Sequence, residues 1–179
     1  MNISLSHCLF RPLLGLALAM VWTTGAAQTA EPSMAPRQIS PSAWYVEGLS
    51  ALGSGANQNF ISNSGFVITR DGVVVIDALG SPALAGRLLG HIRALTEKPV
   101  THVILTHYHA DHIYGLQAFK AAGARILAHQ AAREYLNSET AGLRLEASRV
   151  DLAPWIDANT RLVPADASSG LLTTSISSL

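Results

Sequence analysis

Apolar positions along this chain switch between two spacings, and the switches mark its elements. Trp44-Tyr45-Val46 reads as a short opening strand. Gly65–Thr69 and Val73–Asp77 are two arms rich in β-branched residues on either side of Asp71-Gly72, a β-hairpin signature. The second arm is continuously apolar, which predicts a strand covered on both faces. Ser81-Pro82 predicts a helix start, with serine as cap and proline in the first turn. Leu84, Leu88, Ile92 and Leu95 then recur at helical spacing and form the expected buried stripe. His91 lies beside that stripe and reads as a helix-surface residue. Pro99 closes the segment, and Val100–Thr106 is the next strand. A second helix is predicted from about His112, with Ile113, Leu116 and Phe119 on one side and Gly123 as its stop. Arg125–Ala128 is a further strand, and Gln130–Val150 a helical stretch with Tyr135 and Leu136 inside.

Strands alternating with helices imply crossover connections and a mixed sheet covered by helices, an α/β arrangement. In such sheets a site forms beyond the carboxyl ends of the strands. Around this core, residues 43–166, the chain changes character. Arg11, the apolar run Pro12–Trp22 and the small residues Gly25-Ala26-Ala27 form a secretory signal pattern over 1–27, too short to span a membrane as a helix. Export to a periplasm or the medium follows, with no stable membrane association after cleavage; the competing reading is an uncleaved membrane anchor. Residues 28–42 hold Pro32, Pro36 and Pro41 and read as a flexible leader. From Ala167 to Leu179 there is no charge and no aromatic residue, only an atypical polar tail. That change of composition reads as a truncation or a frameshift, with a natural polar tail on a short relative as the competing reading.

Composition narrows the chemistry. The formal net charge is zero, which offers no basic surface for nucleic acid. The only cysteine is Cys8, inside the signal pattern, so any metal site of the exported chain must use nitrogen and oxygen ligands.

The run His107-Tyr108-His109-Ala110-Asp111-His112 supplies four such donors in six residues, directly after an apolar strand. Alternate side chains of an extended segment point the same way, so His107, His109 and Asp111 can converge, with His112 following as the chain turns into a helix. Imidazoles with a carboxylate suit a borderline cation such as zinc. The competing reading is a polar loop in which Asp111 only caps the next helix.

Thr106–His112 closely resembles the His-x-His-x-Asp-His signature of the metallo-β-lactamase-fold hydrolases. Val74-Val75-Ile76-Asp77 resembles the strand that ends in aspartate ahead of that motif, and Gly115 stands where the family often has glycine. Tyr114 departs from the commoner Gly-Gly pair. The resemblance covers roughly residues 44–160 and implies the N-terminal half of an αβ/βα sandwich. It further implies two zinc ions, the first on His107 and His109 and the second on Asp111 and His112. A metal-activated hydroxide would attack the carbonyl of a small molecule such as a β-lactam, thioester or lactone. Asp111 would orient the nucleophile and pass a proton, and Asp77 would support the site without binding metal. Iron in place of zinc would go with redox chemistry, as in some relatives. The family draws its remaining ligands from a second half, and this chain has no histidine after His129. His102 is at the wrong end of its strand, and His129 stands where the family has no ligand. A catalytically inactive half-domain, binding metal weakly or not at all, is therefore the alternative. Its uncovered sheet face would favour self-association. Asn57–Phe60 reads as a flap over the site or as a surface loop.

Overall fold

The computed structural model describes residues 32–169. The signal pattern at 1–27 and most of the polar tail lie outside the described residues. Seven strands form one sheet in the order in which they occur along the chain. They are β1 (Arg37–Ser40), β2 (Ala43–Val46), β3 (Ser64–Ile68), β4 (Val73–Ile76), β5 (Val100–Leu105), β6 (Arg125–His129) and β7 (Ala167–Ser169). From β1 to β4 neighbours are antiparallel; from β4 to β7 they are parallel. The expected mixed α/β sheet is present.

The parallel strands are joined through helices α1 (Pro82–Leu95), α2 (Ala110–Ile113), α3 (Leu116–Ala121), α4 (Gln130–Leu136) and α5 (Glu139–Asp151). The Ser81 hydroxyl accepts from the Leu84 amide at 3.2 Å and starts α1 as the sequence predicts. Leu84, Leu88 and Ile92 are buried, but Leu95 is 48% exposed where the helix ends; Leu89 takes its place in the core. The second helix starts earlier than expected, at Ala110, and breaks at Tyr114-Gly115 into α2 and α3. The long helical stretch over 130–150 is likewise two helices, because the Ser138 hydroxyl caps a new start by accepting from the Ala141 amide.

Two stretches outside the expected domain core join the sheet. Residues 37–40, read as part of a flexible leader, form β1 against β2. The Asp166 backbone amide donates to the Ile126 carbonyl, and the first three residues of the polar tail continue from there as β7 beside β6. In both places backbone pairing to a neighbouring strand outweighs side-chain composition.

Register sets which residues share a face. Phe66 lies opposite Val75, Val75 opposite Val103, and Val103 opposite Ile126. All four are fully buried and belong to one core cluster with Leu84, Leu88, Leu116 and Phe119 of the helices. The alternate residues Val67, Ile76, Ile104 and Leu127 point to the opposite face, are half-buried and lie outside that cluster.

Candidate metal centre at the carboxyl edge of the sheet

β4 and β5 run parallel and end side by side, so Asp77 and Thr106 leave the sheet together. Asp77 has a positive φ of 62°, a conformation that short polar residues tolerate better than others, and it turns a buried carboxylate toward the next loop. Its Oδ1 accepts from the Thr106 amide at 2.8 Å, and its Oδ2 accepts from the Thr106 hydroxyl at 2.7 Å. The hydroxyl has one proton, already given to Asp77. Its 2.9 Å contact with His107 Nδ1 must therefore use the proton on Nδ1. That arrangement leaves the His107 Nε2 lone pair free for a ligand, which is how supporting residues commonly orient a metal-binding imidazole.

His109 is the N-terminal boundary of α2, so its backbone rather than its side chain begins the helix. Asp111 and His112 follow in the first turn; Asp111 is therefore not the cap. The ring centroids of His107 and His109 are 4.6 Å apart, and those of His107 and His112 are 4.1 Å apart. His112 Nε2 lies 3.3 Å from Asp111 Oδ2, and its Nδ1 lies 2.9 Å from Asp77 Oδ2, close in distance but not aligned as a hydrogen bond. Burial opposes a charge on the His112 ring, yet the carboxylates of Asp111 and Asp77 outweigh it and push the imidazole up to about 9. Burial likewise opposes the Asp111 charge, while His112 holds that carboxyl below its ordinary range. His107 is shifted down, first by burial and then by its histidine neighbours.

The rest of the loop is locked from three sides. The Ser62 hydroxyl donates to the Asp111 carbonyl at 2.5 Å, and the Ala78 amide donates to the His112 carbonyl at 2.9 Å. Tyr114 is buried where the family more often has glycine, and its hydroxyl shares a hydrogen bond of 2.9 Å with Ser148 of α5. Gly115 must be glycine, because a β-carbon there would stand 1.9 Å from the Ala78 carbonyl oxygen. Asn57–Phe60 is neither flap nor surface loop at its C-terminal end: Gln58, Asn59 and Phe60 are buried, and the Asn59 amide nitrogen donates to the Gly80 carbonyl.

The four predicted donors are thus brought together at one end of the sheet, with Asp77 behind them. His102 lies near the start of β5, where its Nδ1 contacts the Thr101 hydroxyl at 3.1 Å, and the Nδ1 of His129 accepts from the Ala131 amide as a helix cap. Thr106 is the supporting residue that motif reading passed over, although it directly precedes the first histidine. Ser62 and Ser148 carry no local signal, since their partners are 49 and 34 residues away in sequence.

In kind, the donors fit a zinc ion, with three imidazoles and one carboxylate. In arrangement they are paired: among the described residues no group of three His, Cys, Asp or Glu side chains is placed to hold a metal ion.

Comparison with known proteins agrees with this geometry. The curated relatives include the type 2 metallo-beta-lactamase of Bacillus sp. (strain 170), 36% identical over 77 residues, covering 42% of this chain and 29% of that protein. A linear primary-alkylsulfatase of Pseudomonas sp. (strain ATCC 19151) is 33% identical over 49 residues, covering 27% of this chain and 9% of that protein. Among solved structures, a Cronobacter sakazakii (Enterobacter sakazakii) metallo-beta-lactamase with a HARLDQ motif is 25% identical, with a TM-score of 0.52. That match covers 79% of this chain and 48% of the other. The Erythrobacter litoralis metallo-beta-lactamase, 20% identical with a TM-score of 0.52, covers 74% of this chain and 48% of the other and shares the fold. The chain therefore spans about half the length of these structures and less than a third of the two curated relatives. The family model of the metallo-beta-lactamase superfamily matches residues 58–166, more than half of the chain and the whole of the site just described. This protein belongs to the metallo-beta-lactamase superfamily.

Proposed function

We propose that the chain serves a zinc-dependent hydrolase acting on a small molecule with a carbonyl of β-lactam, thioester or lactone type. The observation that carries this reading is the Asp77–Thr106–His107 relay, which presents a histidine nitrogen for coordination at the carboxyl edge of the sheet. His107 and His109 would hold one metal ion, and Asp111 with His112 a second. Zinc bound there supplies Lewis acidity and lowers the pKa of water toward neutrality.

The chain's own residues contribute the rest. Thr106 fixes the His107 tautomer, and Asp77 is the common acceptor behind it. Asp111, kept ionised beside His112, can take up a proton at Oδ2 and return it to a leaving group. Metal analysis of the purified full chain, followed by turnover of a chromogenic cephalosporin, a thioester and a lactone, tests the reading. Zinc at about two per chain with turnover supports it; turnover unchanged by a chelator overturns it.

The alternative is a chain that binds metal weakly and catalyses nothing. The paired arrangement of the donors favours it, and metal well below one ion per chain without turnover would establish it. Iron in the protein as isolated would point instead to redox chemistry. Export, proposed from the pattern over 1–27, is checked by sequencing the amino terminus of the secreted protein. Self-association through Val67, Ile76, Ile104 and Leu127 is checked by sedimentation.

A further inference from the structure

Beside the histidine loop lies a cavity of about 720 Å³. One wall is the loop containing Leu52, Gly53, Asn59 and Ile61, and the floor includes Tyr108, His109 and Asp111. The other wall is helical, with Tyr135 on α4 and Thr140, Arg144, Ser148 and Asp151 on α5. The α5 residues recur at spacings of three to four, which places them on one side of the helix.

Two features of this wall point to a ligand. First, the rings of Tyr108 and Tyr135 stack with centroids 4.4 Å apart and planes 28° apart, and Tyr108 remains 39% exposed. Together they form an aromatic surface at the mouth of the histidine loop. Second, among the described residues the Arg144 guanidinium has no hydrogen bond and no ion pair, whereas Arg149 on the same helix is engaged by Glu146, by the Asp157 carbonyl and by the Thr160 carbonyl. A guanidinium offers five donors in a planar fork that matches an acidic group with two oxygens. Of the two acids on the cavity, Asp111 faces His112, and Asp151 forms no ion pair or hydrogen bond with Arg144 among the described residues.

We propose that Arg144 is the anion anchor of this cavity, selecting ligands that carry a carboxylate or similar acidic group next to a flat apolar group that lies on Tyr108 and Tyr135. The inference rests on the reading that this cavity is the substrate side of the metal centre, and it names the substrate class: acidic and partly aromatic or apolar. Arg144 touches the ligand rather than the reacting bond, so it sets affinity and selectivity.

The test uses the full chain, stripped of metal with a chelator so that no probe can bind through a cation. Three probes of one shape are titrated by calorimetry: 2-naphthoate, 2-naphthalenemethanol and 2-naphthylmethylammonium. The expected order places naphthoate first, with Arg144→Gln weakening it about tenfold, the size of one lost charge-assisted contact. Arg144→Lys, which keeps the charge and loses the fork, retains most of the affinity. Arg144 is exposed on its helix and glutamine is a good helix former, so unchanged circular dichroism verifies the fold of each variant. Equal binding of the neutral or cationic probe, or naphthoate binding indifferent to Arg144→Gln, overturns the proposal. Zinc content and turnover are read separately. Arg144-dependent naphthoate binding without zinc would leave the anchor standing and remove the hydrolase reading, and the converse result would do the reverse.

Discussion

On one side of the sheet Phe66, Val75, Val103 and Ile126 are fully buried in a single cluster with the residues of α1 and α3. On the other, Val67, Ile76, Ile104 and Leu127 come from the same strands, are just as apolar, and remain half-buried outside that cluster. The contrast shows that side-chain type does not set the energetic weight of a strand position. What lies across from the position does, because both transfer from water and close packing scale with the area covered. The histidine loop hangs from the end of these strands, so its rigidity depends on the covered side.

Phe66→Ala is the strongest probe of the difference. Phe66 is fully buried and stacks on Trp44 with centroids 5.5 Å apart, so its loss should cost about 3–5 kcal/mol in denaturant unfolding. A loss below about 1 kcal/mol would mean that the covered side is not the core. Asp77→Asn comes next. It keeps a side chain that tolerates the positive φ but removes the charge facing Thr106 and His112, and a loss of about 2–3 kcal/mol is expected. Zinc affinity measured on the same variant should fall with it; an unchanged affinity would detach Asp77 from the site.

Gly115→Ala places a methyl group against the Ala78 carbonyl and should cost about 1–3 kcal/mol while disturbing the α2–α3 break. Thermal unfolding reads it directly. Ile104→Thr, on the less covered side, should cost under about 1 kcal/mol in dilute protein. If the cost grows with protein concentration, a second copy covers that side.

The smallest effect concerns the edge where β6 meets β7. Asp166 is held below the usual carboxylate range by Lys120 at 2.5 Å, then by the Ile126 amide. A lowered folded pKa adds stability above the ordinary carboxylate range and loses it as the pH falls through the folded value. Asp166→Asn should therefore be less stable than the parent chain near neutral pH, by about 0.5 kcal/mol for so exposed a pair, and equal to it near pH 2. A difference that persists in acid would assign the effect to the backbone hydrogen bond alone.

Much of the parallel half of the fold was legible along the chain. The hairpin arms, the Ser81 cap, the Val100–Leu105 strand and the histidine run announce themselves through local periods and local caps. Errors arose where distant partners decide. β1 hides behind Pro36 and Pro41, because its support is backbone pairing with β2 and the contacts of Arg37 with Tyr45 and Glu47, none of which shows in a local period. The break at Gly115 comes from a close approach to the distant Ala78, whereas the break at Ser138 comes from a cap three residues from its partner, a local signal masked by the continuous apolar period. At the site, the four donors and Asp77 were readable because they lie at the ends of two apolar strands. The Arg144 wall was not, because α5 reaches the histidine loop only through folding, and the Tyr114–Ser148 bond that fastens it joins residues 34 apart.

The first strand carries a further consequence. β1 is four residues long, exposed throughout and interrupted in register between Gln38 and Ser40, with Pro36 just before it and Pro41 just after. A proline has no N–H to offer an incoming strand, and an irregular register spoils a repeating ladder. This one of the sheet's two edges is thereby a poor template for another chain, so intermolecular strand addition, the first step toward fibrous aggregates, is discouraged along β1.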